Sequence, residues 1–432
     1  MADTALAPDT PERKTNMDKI RATLTARRRS ENRLRIAGLL AIGFAFGMLG
    51  LVFASLIATG YQAFTQTHVT IDVFIDPEEI SVDRLPRGGF EDVLEASLAA
   101  TVVGEAEGSE ALRDIGRILS DGAQFKLRDM VVADPGLIGT TVTITVPTSD
   151  NFDQLNKGLI DRATPEQFRR VTDQQIAWFD ELDAAGAVSA PFNRWMFINN
   201  DSRFPEQAGL RGALVGTFWV LLICFAISFP LGIGAAIYLE EFAPKGKMSD
   251  LIEVNINNLA AVPSVVFGLL GLAVFIGWFG MPRSAPIVGG LTLALMTLPT
   301  IILATRAALK AVPPSIREAA LGVGASKQQA VFGHVLPLAM PGILTGTIIG
   351  MAQAMGETAP LLLVGMNAFV TSTAGTPFES STTLPTQIFM WADSPERGFI
   401  SRTSAAILVL LGFLIVMNLI AIILRRKFER QW

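Results

Sequence analysis

The groups able to do chemistry are few and scattered. Glu357 is a carboxylate that follows directly on the uncharged run Val335–Gly356. An acid at membrane depth is costly and marks a transport pathway or a paired site, unless it is solvated near the outer interface. Gln353, one helical turn earlier, can donate hydrogen bonds, and Thr358 adds a hydroxyl. Arg306 ends another apolar run, and Arg283 lies in a short turn. Both fit a pathway or a plain interfacial charge, the latter better for Arg283. Pro263, before Ser264, interrupts a third run, and the backbone groups it frees can line a cavity or merely accompany a kink. The two histidines, His68 and His334, lie far apart, and Cys224 is alone. No metal site, disulfide or hydrolytic triad is expected from them.

The elements that hold these residues are membrane helices. Half of the 432 residues are hydrophobic and 17% are charged. Six uncharged runs, Ile36–Tyr61, Gly212–Leu239, Val254–Pro282, Ser284–Thr305, Val335–Gly356 and Thr403–Leu424, are each near the ~20 residues that cross a bilayer as a helix. Six such runs in one chain argue against a soluble protein with buried helices, and the 26-residue first run is too long for a signal-peptide core. It is expected to stay as an anchor. Arg27, Arg28, Arg29, Arg33 and Arg35 precede it, Arg425, Arg426 and Lys427 follow the last run, and Arg306, Lys310, Arg317 and Lys327 lie between the fourth and fifth. The positive-inside rule then puts both termini and that loop in the cytoplasm. The expected layout is a disordered basic tail (1–35), a first span (36–61), an extracytoplasmic insertion (62–209), a five-helix core (210–424) and a short tail (425–432). The insertion has 12 basic and 25 acidic residues, which excludes a nucleic-acid surface. It has helical stretches at Glu91–Ala100 and Pro165–Leu182, a Val/Ile–Thr alternation over Thr141–Val146, and turns at Pro86–Gly89, Asp134–Gly136 and Pro147. A small α+β domain is expected there.

The most informative stretch is the loop at 306–340. Ser315/Glu318 and Ser326/Gln329 have capping-box spacing, so two short helices with a turn at Gly322–Gly324 are expected. Ala319 and Ala320 leave a smooth face for a partner. Glu318-Ala319-Ala320, then Gly324, then Leu336-Pro337 resembles the EAA loop of ABC-importer permeases, with His334 where that pattern prefers Ile. The resemblance implies an all-α polytopic fold and docking of this loop into a separate ATPase. No G-x-x-x-x-G-K-[ST] loop is present, so ATP and Mg²⁺ would be used by that partner, and no cofactor is expected on this chain.

Three further segments, Ala235–Phe242, Val262–Leu269 and Gly356–Leu362, resemble phosphate permeases, and Gly-Glu-Thr-Ala-Pro looks like the PstA type. The resemblance covers roughly 210–424 and leaves 62–209 unexplained. It implies phosphate import across a bacterial inner membrane with a PstC-type companion permease, PstB-type ATPases and a periplasmic PstS-type binding protein. In that family an Arg commonly stands where Gln353 is, and this chain departs from the pattern there, with no Arg in Val335–Gly356. A molybdate or sulfate permease and a non-transporting membrane sensor are the competing readings.

Overall fold

The computed structural model describes residues 16–80, 88–102, 109–244 and 246–428. It divides into two compact units, Met1–Ala58 and Thr59–Trp432.

The first unit is the body of helix α1, which runs Asn16–Gly60. At 1.5 Å per residue its 45 residues span roughly 68 Å, about twice a hydrocarbon core. The basic segment expected to be disordered is therefore helical from Asn16 onward. Between Asn16 and Ala37 there is no Gly or Pro, and Leu, Ala, Arg, Lys and Glu are good helix formers.

In the second unit, an antiparallel sheet of order β2-β1-β3 is built from β1 (His68–Phe74), β2 (Thr141–Pro147) and β3 (Val188–Ser189). Val69 pairs with Val146 and Ile71 with Ile144. The period of two sends all four to the buried face. There they meet Leu94, Leu98, Leu127, Phe152 and Phe179 from α2 (Phe90–Thr101), α4 (Ala123–Ala133), α5 (Asp150–Asn156) and α6 (Asp173–Ala184). A short α3 (Ser109–Gly116) packs against α2, and α7 (Trp195–Ile198) leads out toward the membrane helices. The segment is mainly helical, with a small sheet. The helix expected from Pro165 begins at Asp173, where Thr172 and Gln175 form a capping box; only a 3-10 turn, Glu166–Phe168, precedes it. Of the expected turns, Asp134 caps its own by accepting from Gly136 N at 3.0 Å, whereas Pro86 and Arg87 lie outside the described residues.

The membrane helices are α8 (Arg211–Ile237), α11 (Pro286–Ala311), α14 (Leu336–Gly356) and α17 (Gly398–Phe428), the last with the short α16 (Leu384–Ala392) packed against it. The third uncharged run is not one straight span. It divides into α9 (Lys247–Ala260) and α10 (Ser264–Leu270), which continues as a π-helix to Trp278, and the two pieces are bent by 102°. Pro263 removes a backbone donor and drives Val262 out of helical geometry. With α1, the described residues hold five helices long and apolar enough to span, or six with the bent pair. α14 lies close on α11: a Cβ on Gly342 would stand 2.8 Å from Ala308 Cβ, and one on Gly346 would collide with Ala304. Small residues four apart let two backbones approach where no water drives them together.

Candidate functional site

The loop between α11 and α14 folds as α12 (Pro314–Gly322) and α13 (Lys327–Ala330). Ser326 caps α13 as expected: its Oγ accepts from Gln329 N at 3.3 Å, and its own N–H donates to Gln329 Oε1 at 2.8 Å. The other box does not form. Pro313 occupies the N-cap and Pro314 the first helical position, so Ser315 lies inside α12 and makes no cap bond. Gly324 turns the chain at φ +90°, a conformation that costs an L-residue about 1–2 kcal/mol.

Within the loop, Glu318, Ala319 and Gly324 are exposed, Ala320 is buried, and Leu336 and Pro337 are half-buried at the return to the bundle. Leu321 is 49% exposed, Val323 87% and Phe332 56%. Val323 and Phe332 border one open hollow at the loop tip, together with Gly324 and Gln329.

This loop is clasped to the end of α8. α8 passes into a π-turn at Tyr238–Phe242, and Glu241 in that turn accepts from Arg317 of α12, from Nε at 3.0 Å and Nη2 at 2.6 Å. Arg317 also donates to the carbonyls of Val312 and Leu309, each at 2.8 Å. Beside it, Arg306 of α11 donates to Glu240 at 3.3 Å and to Glu253 of α9 at 2.8 Å, and Lys310 lies 3.7 Å from Glu240. Three helices and the loop are thus joined by paired charges. In the sequence, Glu240 and Glu241 stand out only as part of a family resemblance. Two adjacent acids at a span end facing a loop rich in Arg and Lys were a signal, but the pairing itself was not readable.

Arg306 is accordingly separated from the other pathway candidates. α14 ends at Gly356, Glu357 is extended, and the short α15 (Ala359–Leu363) follows. α15 runs beside α10: a Cβ on Gly268 would meet Pro360 Cα at 2.7 Å, and one on Gly271 would meet Val364 Cγ1 at 3.1 Å. Each short helix starts immediately after its break, so Pro263–Ser264 and Glu357–Thr358 belong to one helix pair. Gln353 and Pro263 are exposed or half-buried, as are Ser264, Glu357 and Thr358. Glu357 has no ion pair among the described residues. Continuing the α11–α14 register from Ala304/Gly346 sets Glu357 level with Leu293, roughly 20 Å along the axis from Arg306. The described residues contain no group of His, Cys, Asp and Glu able to hold a metal.

This bundle, its bent third helix and its capped loop define a class of protein. The profile of the binding-protein-dependent transport system inner membrane component matches residues 228–432, and a domain of unknown function, DUF3333, matches 21–166. The probable ABC transporter permease YqgI of Bacillus subtilis is 32% identical over 52% of this chain and 81% of its own. The phosphate transport system permease protein PstA 1 of Mycobacterium tuberculosis is 34% identical over 56% of this chain and 79% of its own. The inward-facing MetNI methionine ABC transporter aligns at a TM-score of 0.39 and 17% identity, covering 51% of this chain and 96% of that one. The chain belongs to the phosphate ABC transporter permeases. It is a multi-pass inner-membrane protein.

Proposed function

We propose that this chain moves inorganic phosphate into the cytoplasm, driven by ATP that separate subunits hydrolyse against the loop at 306–340. The observation that carries this is the Arg317–Glu241 clasp behind an exposed apolar loop tip. A partner pressing on Leu321 and Val323 moves α12, and α12 is bonded to the end of α8. Glu318, Ala319, Ala320, Gly324, Leu336 and Pro337 form the coupling segment. Glu357, Thr358, Gln353, Pro263 and Ser264 line the pathway at the paired breaks, where freed backbone N–H groups suit an anion. Arg306 belongs to the coupling network rather than to the pathway. A PstC-type companion completes the pore, PstB-type ATPases supply the stroke, and a PstS-type protein delivers phosphate to the side of the insertion. The termini lie in the cytoplasm and 62–209 outside.

Cells deleted for this chain should lose high-affinity uptake of labelled phosphate and regain it on complementation. Unchanged phosphate uptake, with loss of sulfate or molybdate uptake instead, would replace the substrate.

A further inference from the structure

The first turns of α17 hold a cation that the transport account does not use. Arg402 lies one turn into that helix and is 4% exposed. Its Nη1 donates to Ala208 O and its Nη2 to Gln66 Oε1, each at 2.8 Å. Those acceptors lie on the two segments by which the insertion leaves and re-enters the membrane. Asp150, Asp153 and Glu206 surround the guanidinium as counter-charges beyond direct ion-pair contact.

Each of these acids is itself tied down. Asp150 accepts from Gly398 N at 3.0 Å, at the start of α17, and from Gln154 at 2.6 Å. Asp153 accepts from Thr67 N and Oγ1 at 2.8 and 2.7 Å and from Lys157 at 2.6 Å, and Lys157 in turn reaches Thr65 O at 2.8 Å. Glu206 is bonded by Ser120. Farther along, Asp201 accepts from Trp391 Nε1 at 2.9 Å.

A swinging appendage would have a wet, exposed joint. This joint is buried and charged, and one missing partner would leave a buried charge uncompensated, so the network has one low-energy arrangement.

We propose that Arg402 is a positioning residue that fastens the insertion to the outer end of the last span, so that the two move as one body. Resting on the importer reading, this makes the insertion a lever: a partner that engages it acts directly on α17. A dispensable shield on flexible links is the competing picture.

Locking the joint tests it. A Cβ on Gly398 would run into the Asp150 carboxyl, so Asp150→Cys with Gly398→Cys places two Cβ atoms within disulfide reach. The single native cysteine, Cys224, is buried and does not compete. The variant is reconstituted with its companion permease, ATPase and binding protein. In the oxidised form, where the disulfide replaces the Asp150–Gly398 bond, ATPase stimulation by the binding protein should stay within about twofold of wild type, because nothing that moves has been locked. Loss of stimulation on oxidation, regained on reduction, would overturn the proposal. Arg402→Met should lower stimulation about tenfold with basal ATPase retained, and the oxidised cysteine pair in that background should restore it. Undiminished stimulation in Arg402→Met also overturns it. If Arg402→Met does not assemble, the oxidised pair alone decides. Stimulation without phosphate uptake in the wild type would fault the substrate assignment and leave the clamp intact.

Discussion

Arg317→Ala should uncouple the transporter. Glu241 is 8% exposed at its side chain and Arg317 23%, so removing the cation strands a nearly buried carboxylate. Breaking a buried pair costs about 3–5 kcal/mol, and partial exposure of the Arg places this case near the lower end, at about 3 kcal/mol. Two carbonyls, Val312 and Leu309, lose a donor as well. The cost falls on the α8–α12 joint and not on membrane insertion. The assay is a double-mutant cycle on the assembled transporter with Arg317→Met, Glu241→Met and the pair, reading ATP hydrolysed per phosphate imported. Each single variant should hydrolyse ATP with little import. The double variant removes both charges and should recover assembly stability, with a coupling energy of about 2 kcal/mol, but not import. Strictly additive single effects, or normal import by Arg317→Ala, would refute the clasp.

Three other outcomes are expected. Gly324→Val places a β-branched residue at φ +90° and should cost at least about 1–2 kcal/mol locally; the protein should insert normally while ATP hydrolysis and uptake separate, and normal uptake would be contrary. Glu357→Gln should assemble, as judged by co-purification of the companion subunit, yet import about tenfold less, whereas unchanged import would make this acid structural. Burial raises the Glu206 carboxyl above its ordinary value, so the folded state holds that proton to a higher pH than the unfolded chain does. The stabilisation this gives is complete below the unfolded pKa and is lost as pH rises through the folded one. The melting temperature of wild type minus that of Glu206→Gln should therefore grow as pH is lowered through that window, and a flat or falling difference counts against the buried joint.

Much of the bundle was legible because span length is a property of local composition. The runs beginning at Gly212, Ser284 and Thr403 needed only counting, and Pro263 announced the break in the third. What a proline did elsewhere was less visible. Pro313-Pro314 fixes the start of α12 and displaces the Ser315 cap that spacing suggested. β2 showed its alternation, and β1 carries the same signal in Val69, Ile71 and Val73. The charge joints were illegible for a different reason. Arg317 and Glu241 are 76 residues apart, and Arg402 and Gln66 are 336 apart. No period or spacing rule links such positions; only the return of the chain brings them together. Arg402 sits immediately before the last uncharged run and reads there as an ordinary interface charge.

The proposed function requires that this chain pass phosphate under the power of a separate motor. The most direct measurement is accumulation of labelled phosphate in proteoliposomes holding this chain, its companion permease and the ATPase, with binding protein on the side of the insertion and ATP on the side of the 306–340 loop. Accumulation should require ATP and the ATPase and should not be competed by sulfate or molybdate. Accumulation without the ATPase, or ATP hydrolysis coupled to another anion and not to phosphate, would contradict it.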